Sequence, residues 1–290
     1  MNAGEITGDE YLALASSFSK HPDPEIVNAV MADLGSLKAP FVTDDLADEF
    51  SAYVRRTLGP ARERFGFEPR ADDSEDVRLM RPNLILWLGD DGRDPEVRAY
   101  CKAQAKAYLA DPTAVDATIA GAVLQVAAAD GTREDLAAYQ QKLESSKVPA
   151  DRSRYLSALG KFRDAKLQQA VLDYVLTDKV RPTEMYQVVF GMFDTEAGRD
   201  RIYSWMVANY DKLAPRMPGE FLSYLPYFVS GCSEQRLQAA RKFFAVPEHN
   251  VDGTDANLAK VSDQITDCLN LREREGKAVA GYLKTAASAP

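Results

Sequence analysis

The hydrophobic pattern of the chain has a helical period along nearly its whole length. One amphipathic stripe, spaced i, i+3, i+4, i+7 and i+8, consists of Leu167, Ala170, Val171, Tyr174 and Val175. A similar stripe runs through residues 258–269, and residues 115–129 are apolar on most sides, which is typical of a buried inner helix. No long stretch alternates apolar and polar residues as a half-buried strand does. The pattern therefore predicts helices and no sheet.

Helix-start signals divide this pattern into segments. Asp-Pro pairs at residues 23–24, 94–95 and 111–112 place a capping carboxylate before a proline that suits the first helical position. Thr132 and Asp135 have the spacing of a capping box. We predict helix starts near residues 7, 23, 43, 74, 94, 112, 132, 149, 164, 182, 196, 219, 233 and 254.

The spacing of these starts indicates a helical-repeat protein. A helix pair takes about 35 to 40 residues, the size of known helical-repeat units. Tetratricopeptide signature residues are absent, so an all-α fold is predicted, an α-solenoid or superhelix of irregular HEAT-like helix pairs. We expect one domain over residues 1–290, with residues 59–73 as a long loop and the best candidate for a minor break. Pro82 lies inside a predicted helix and should kink or divide it.

Composition excludes several classes of partner. The net charge of -9 repels nucleic-acid phosphates, so no nucleic-acid partner is expected. No signal peptide and no apolar run of roughly 20 residues is found, so no membrane partner is expected, and the compartment is left unpredicted. The start reads as a methionine placed ahead of a mid-protein segment. The three cysteines, Cys101, Cys232 and Cys268, are far apart and odd in number, so we expect buried thiols rather than a disulfide.

No catalytic, cofactor or metal site is predicted in this chain. There are two histidines and no HExxH, and a zinc site joining His21, Glu25 and His249 would require the chain ends to meet. Residues 89–94, Gly-Asp-Asp-Gly-Arg-Asp, could suggest calcium, but the twelve-residue loop with its closing glutamate is missing. A turn followed by a capping aspartate, Asp94, is the better interpretation.

Aromatic and basic residues mostly favour structural roles. Trp87 and Trp205 lie among Leu or Met at helical positions, so we expect both in the core. A stripe of Phe221, Tyr224, Leu225 and Phe228 allows a peptide groove, although core packing is favoured. Arginine doublets at 152/154, 199/201 and 272/274 are expected to form solvated helix faces with weak ion pairs.

Several short segments occur in a recognisable order. They are Tyr155–Leu159 (YLSAL), Leu176–Glu184 (LTDKVRPTE), Gly198-Arg199, Trp205, Asn209-Tyr210, Phe243-Phe244 and the long helix at 257–283. Together they resemble the C-terminal HEAT-like domain of zinc aminopeptidases of the puromycin-sensitive and endoplasmic-reticulum type. The opening, Ala3–Thr7 (AGEIT), is also similar to the start of that domain. The individual motifs are diffuse, and the likeness rests on their number and order.

This resemblance implies a non-catalytic domain. In the family, zinc and the catalytic glutamate lie in an earlier domain, and this part forms a concave lid over the peptide chamber. The implied partners are the catalytic domain of the same polypeptide and peptide substrates. In some members a basic residue facing the chamber receives the peptide's C-terminal carboxylate, and Asp194 occupies that position here. Asp194 either faces the chamber, so that the parent tolerates amidated or basic peptide tails, or simply ends one helix or caps the next.

Two other functions stay open. A free-standing HEAT-like scaffold that binds other proteins would show no HExxH in an upstream reading frame. An α-helical toroid glycosidase would need paired carboxylates across a cleft, and the sequence isolates no such pair.

Overall fold

The computed structural model describes residues 4–287, and in this range it contains fifteen α-helices and no strand. They are α1 Gly8–Ser17, α2 Pro24–Phe41, α3 Ala47–Phe65, α4 Glu75–Leu86, α5 Pro95–Ala110, α6 Ala120–Ala129, α7 Arg133–Ser145, α8 Pro149–Leu159, α9 Ala165–Val175, α10 Met185–Gly191, α11 Glu196–Ala208, α12 Tyr210–Leu213, α13 Gly219–Leu222, α14 Glu234–Phe244 and α15 Thr254–Ala287. The all-α prediction is confirmed.

Most helices begin where the cap signals predict. Asp94 Oδ1 accepts hydrogen bonds from the backbone N–H groups of Glu96 (3.0 Å) and Val97 (3.1 Å), which confirms the cap assigned to it. Thr132 and Asp135 form the predicted capping box, since the backbone N–H of each donates to the other's side chain. The start near 112 is only a short 3₁₀ turn, and the buried inner helix α6 begins at Ala120.

The predicted division of a helix at Pro82 is wrong, and so is the loop predicted for the first part of residues 59–73. α4 runs unbroken past Pro82 to Leu86 and continues into a π-helical turn, Trp87–Asp91. α3 runs through Pro60 to Phe65, so the first half of the predicted 59–73 loop is helical. Ala61 and Phe65 are both buried, so the apolar stripe of α3 continues beyond the proline and its packing keeps the helix intact.

The helices form two layers. α2, α4, α6, α8 and α10 pack on one another in succession and make an inner layer, while α5 packs on α6 and α7 on α8 from outside. The inner residues of α6 and α8, such as Val123, Leu124, Leu156 and Leu159, are almost fully buried. This alternation is the solenoid arrangement that the helix-pair spacing predicts.

The long helix α15 closes the array. It packs on α14 and on a 3₁₀ segment, Leu225–Val229, and also on α1, α2 and α3. Arg272 of α15 donates hydrogen bonds of 2.7 Å to the carbonyls of Ala39 and Pro40, at the end of α2. The prediction of a solvated face is therefore wrong for Arg272. Its guanidinium donates to backbone carbonyls at the end of α2, where no N–H group of the same helix is available to them.

A disulfide also holds α15, contrary to the sequence expectation. Cys232, in the turn before α14, is bonded to Cys268 of α15. The two residues are 36 positions apart, and only the return of α15 brings their Cα atoms to 5.5 Å. Cys101 is free and buried, as expected, and burial raises the pKa of its thiol to about 12.

Candidate functional site

Asp194 lies in a cluster of six charged side chains that we call the charge cluster. Its members are Lys38, Asp90, Asp91, Lys161, Arg163 and Asp194. Lys161 forms ion pairs with Asp194 and, at 3.3 Å, with Asp90. Lys38 lies 2.6 Å from Asp91 and 3.7 Å from Asp194. The three acids and three bases balance, so the cluster is neutral as a whole.

The inner helices position this cluster. Lys38 is in the last turn of α2, Asp90 and Asp91 follow α4, Lys161 follows α8, and Asp194 follows α10. All therefore lie at the C-terminal ends of inner-layer helices, at one end of the layer. The C-terminal end of a helix carries partial negative charge, which favours the cations placed there.

Burial strengthens the ion pairs of the charge cluster, because charges attract each other more strongly where water is excluded. Burial by itself raises the pKa of Asp90, but the charges of Lys161 and Arg163 outweigh it and lower that pKa to about 2. The pKa of Asp194 is lowered in the same way, against burial, by Lys161 and Lys38. The pKa of Asp91 is raised, because burial exceeds the effect of Lys38. Asp91 is therefore the member of the cluster that is easiest to protonate.

Asp194 remains reachable although it is paired. Its side chain is 29% exposed, and it lines two cavities of about 330 and 90 Å³ that flank the cluster. It does not cap the next helix, since Thr195 is the N-cap of α11 and its hydroxyl accepts from the Gly198 N–H. The simple capping explanation for Asp194 is therefore wrong.

A larger apolar cleft of about 770 Å³ opens between α10 and the residues that follow α11. The whole predicted aromatic stripe lines it, together with Tyr186 and Phe190 of α10. Leu225 is buried, as core packing predicts, but Phe221 is 42% and Tyr224 57% exposed. The preference for core packing is therefore wrong for these two aromatic residues, which form part of an open groove.

A second cavity of about 760 Å³, which is more polar than the cleft and is called the polar cavity, adjoins it, and the two share Phe190 and Ser230 in their walls. Its polar lining includes Arg199, Asp267 and Arg274. Asp194 lines neither cavity, although the preceding Phe193 lines the polar one. The nearest position in the sequence that lines the apolar cleft is Phe190, four residues before Asp194.

Neither histidine lines the cavities described above. The Nδ1 of His21 accepts a hydrogen bond from the Asp23 N–H, and the ring of His249 stacks on Phe243. No group of three or more His, Cys, Asp or Glu side chains that could hold a metal ion occurs within residues 4–287. In the same part of the chain, no helix combines the length and apolarity needed to cross a bilayer.

Comparison with known proteins assigns the family. The profile of the ERAP1-like C-terminal domain matches residues 1–267. Aminopeptidase 2 of Candida albicans is 24% identical over 98% of this chain and 31% of its own length. Mitochondrial aminopeptidase 2 of Saccharomyces cerevisiae is 23% identical over 97% and 30%. Aminopeptidase N of Lactococcus lactis is 23% identical over 84% and 29%. The chain spans about a third of the length of these relatives, and it belongs to the family of ERAP1-like C-terminal domains.

Proposed function

We propose that this chain is the non-catalytic C-terminal domain of a zinc-dependent aminopeptidase and forms a concave lid over its peptide chamber. The observation that carries this proposal is that nearly the whole chain matches one family of C-terminal domains. The relatives found for the chain are named as aminopeptidases. Zinc would be held by the catalytic domain of the parent. The proposed partners are that domain and peptide substrates. Residues 1–290 are proposed to form a single domain.

The geometry of the two adjoining cavities supports a peptide-facing role. Exposed aromatic rings in the apolar cleft can pack against apolar peptide side chains. The polar cavity beside it offers charged and amide groups to a peptide backbone, among them Arg199 and Gln264. A lid of this kind excludes water from the reaction and limits access to the chamber.

Phe190 allows a direct test, because it is 51% exposed and lies in the wall that both cavities share. In the full-length enzyme, Phe190→Ser should lower kcat/KM for long peptides by about 3- to 10-fold. Cleavage of an aminoacyl anilide, which is too short to reach the lid, should not change. Leu79→Ser is the matched control, since Leu79 is 65% exposed and lines neither cavity.

The proposal also requires a parent enzyme. An upstream reading frame that continues into this chain and encodes HExxH supports it. An equal loss for long and short substrates in Phe190→Ser would argue against a peptide-facing lid. A gene that encodes this chain alone would favour the free-standing interaction scaffold.

A further inference from the structure

The two cysteines of the disulfide lie in different surroundings. Cys268 is partly exposed and lines the polar cavity, whereas Cys232 is 3% exposed and does not line that cavity. Thiol–disulfide exchange begins when a thiolate attacks one of the two sulfur atoms, and its rate depends on which sulfur the thiolate can reach. A thiolate that arrives from solvent therefore attacks Cys268 in preference to Cys232.

The polar cavity gives a small thiol a route to Cys268. Gln264, Cys268 and Leu271 follow one another at i, i+4 and i+7 on α15, and all three line the cavity. The face of α15 that carries Cys268 is therefore the face that borders the cavity. A volume of about 760 Å³ is within the range of small-molecule sites, so the cavity can admit a thiol the size of a short peptide.

The third cysteine does not compete in this reaction. Cys101 is fully buried, and burial raises the pKa of its thiol to about 12, so it supplies no thiolate to attack the disulfide. The chain has three cysteines, so opening the bond leaves Cys232 and Cys268 as each other's only protein partners. Exchange with a small thiol therefore does not lead to a different pairing within the chain.

The turn before α14 is also held to α15 without the disulfide. Arg272 of α15 donates a 3.2 Å hydrogen bond to the backbone carbonyl of Cys232. The same guanidinium donates to Ala39 and Pro40, so it is fixed from two sides. A Cys232 thiol that has been released is therefore kept beside α15, where it can attack Cys268 again and restore the disulfide.

We propose that Cys268 is a site of reversible modification by a low-molecular-weight thiol. The thiolate forms a bond to Sγ of Cys268, the bond between Cys268 and Cys232 breaks, and its electron pair leaves with Cys232. Cys232 then takes up a proton from solvent in place of the one that the incoming thiol lost. One thiol is consumed and one is formed, so the step needs no oxidant. The exchange does not depend on the proposed aminopeptidase function.

Reduced glutathione, a tripeptide thiol, is the probe for the first test. The folded chain is incubated with it at about pH 8, where part of the thiol is ionised. Acid then stops the exchange, and peptide mass spectrometry locates the adduct. We expect early adducts on Cys268 to exceed those on Cys232 by about 10-fold or more. Equal early labelling of both cysteines, or no labelling before urea unfolds the chain, would overturn the proposal.

A second measurement does not depend on how long this adduct survives. Cys232→Ser leaves a free thiol at Cys268, and Cys268→Ser leaves one at Cys232. We expect oxidised glutathione to modify the folded Cys232→Ser variant about 10-fold faster than the folded Cys268→Ser variant. Equal rates would contradict the difference in access. If either variant does not fold, as checked by circular dichroism, the mapping of the natural chain decides.

The route through the polar cavity is tested with a blocking substitution. Gln264 is exposed and lies one helical turn before Cys268, so Gln264→Trp places an indole at the approach to the sulfur. This change should slow adduct formation on Cys268 by about 5- to 20-fold. Thr266→Trp is the matched control, because Thr266 is also exposed on α15 and does not line the cavity. If both variants react at the same rate, the thiol does not arrive through the polar cavity and the proposal fails.

Discussion

The backbone N–H of Gly8 donates a 2.9 Å hydrogen bond to Oε2 of Glu275, although 267 positions separate the two residues. Glu275 is buried, and it accepts this bond from an N–H group in the first turn of α1. Such N–H groups have no acceptor within their own helix. A Cβ atom at position 8 would lie 2.4 Å from Cγ2 of Val279, so only glycine allows α1 to approach α15 this closely.

Gly8→Ala should therefore destabilise the domain. The added methyl meets a stiff β-branched side chain, so we expect the free energy of unfolding to fall by about 1–3 kcal/mol in urea titrations. Gly276→Ala is the matched control on α15, because nothing lies within 4 Å of a Cβ placed there. That change should be neutral or stabilise by up to about 1 kcal/mol. Equal effects of both substitutions would contradict the close approach.

Reduction of the disulfide should also lower stability. The bond closes a loop of 36 residues, and such a cross-link stabilises by about 3–4 kcal/mol. Thermal unfolding with and without a phosphine reductant should show a lower Tm for the reduced protein. The double variant Cys232→Ser, Cys268→Ser should start at the lower Tm and not respond to the reductant. If the Tm of the natural chain does not change with reductant, the disulfide does not contribute to stability.

The charge cluster should make stability depend on acid. The pKa of Asp90 is about 2 in the folded protein, below its ordinary value of 3.8. Its contribution is therefore complete above about pH 5 and is lost as the pH falls toward 2. Asp90→Asn should cost about 2–4 kcal/mol at pH 7 and less at pH 3, because it leaves Lys161 and Arg163 short of a partner.

The control for this experiment is Asp48→Asn. Asp48 pairs with Arg93, but its side chain is 90% exposed, so its loss should change stability by less than about 0.5 kcal/mol. A pH-independent difference between the natural chain and Asp90→Asn would mean that Asp90 is not ionised in the folded protein.

Asp194 is tested in the proposed parent enzyme. Asp194→Arg replaces a carboxylate partner of Lys38 and Lys161 with a fourth cation in the charge cluster, so peptides with a free C-terminal carboxylate should gain relative to amidated ones. Asp263→Arg, exposed on α15 and outside every cavity described here, makes the same change of net charge as a control. If the ratio of kcat/KM for free and amidated peptides is the same in all three forms, Asp194 does not face the peptide.

The sequence was informative about local structure and weak on long-range contacts. Caps such as Asp94 and Thr132 act on N–H groups two or three residues away, so their spacing alone predicts helix starts. The disulfide and the contacts of Arg272 depend on the return of α15, which no local pattern encodes. α3 and α4 run through Pro60 and Pro82 because tertiary packing outweighs the local tendency of proline to end a helix.

The charge cluster is not visible in the sequence for the same reason. The local pattern around Asp90 and Asp91 indicates only a turn, and no local motif marks Lys161 or Arg163. These four residues all lie just beyond the ends of successive inner helices, and this shared position is the feature that indicates a common cluster. Detecting it requires knowing that these helices stack side by side, so the partners of Asp194 could not be identified before the fold.

The closure by α15 also determines when the domain can complete its fold during synthesis. A solenoid whose repeats touch only their neighbours can fold progressively as it leaves the ribosome. Here α1, α2 and α3 pack on a helix that begins at Thr254, so their facing apolar surfaces stay uncovered until that helix has been translated. The apolar faces of α1, α2 and α3 that α15 covers therefore remain open to aggregation while the helices between α3 and α15 are translated.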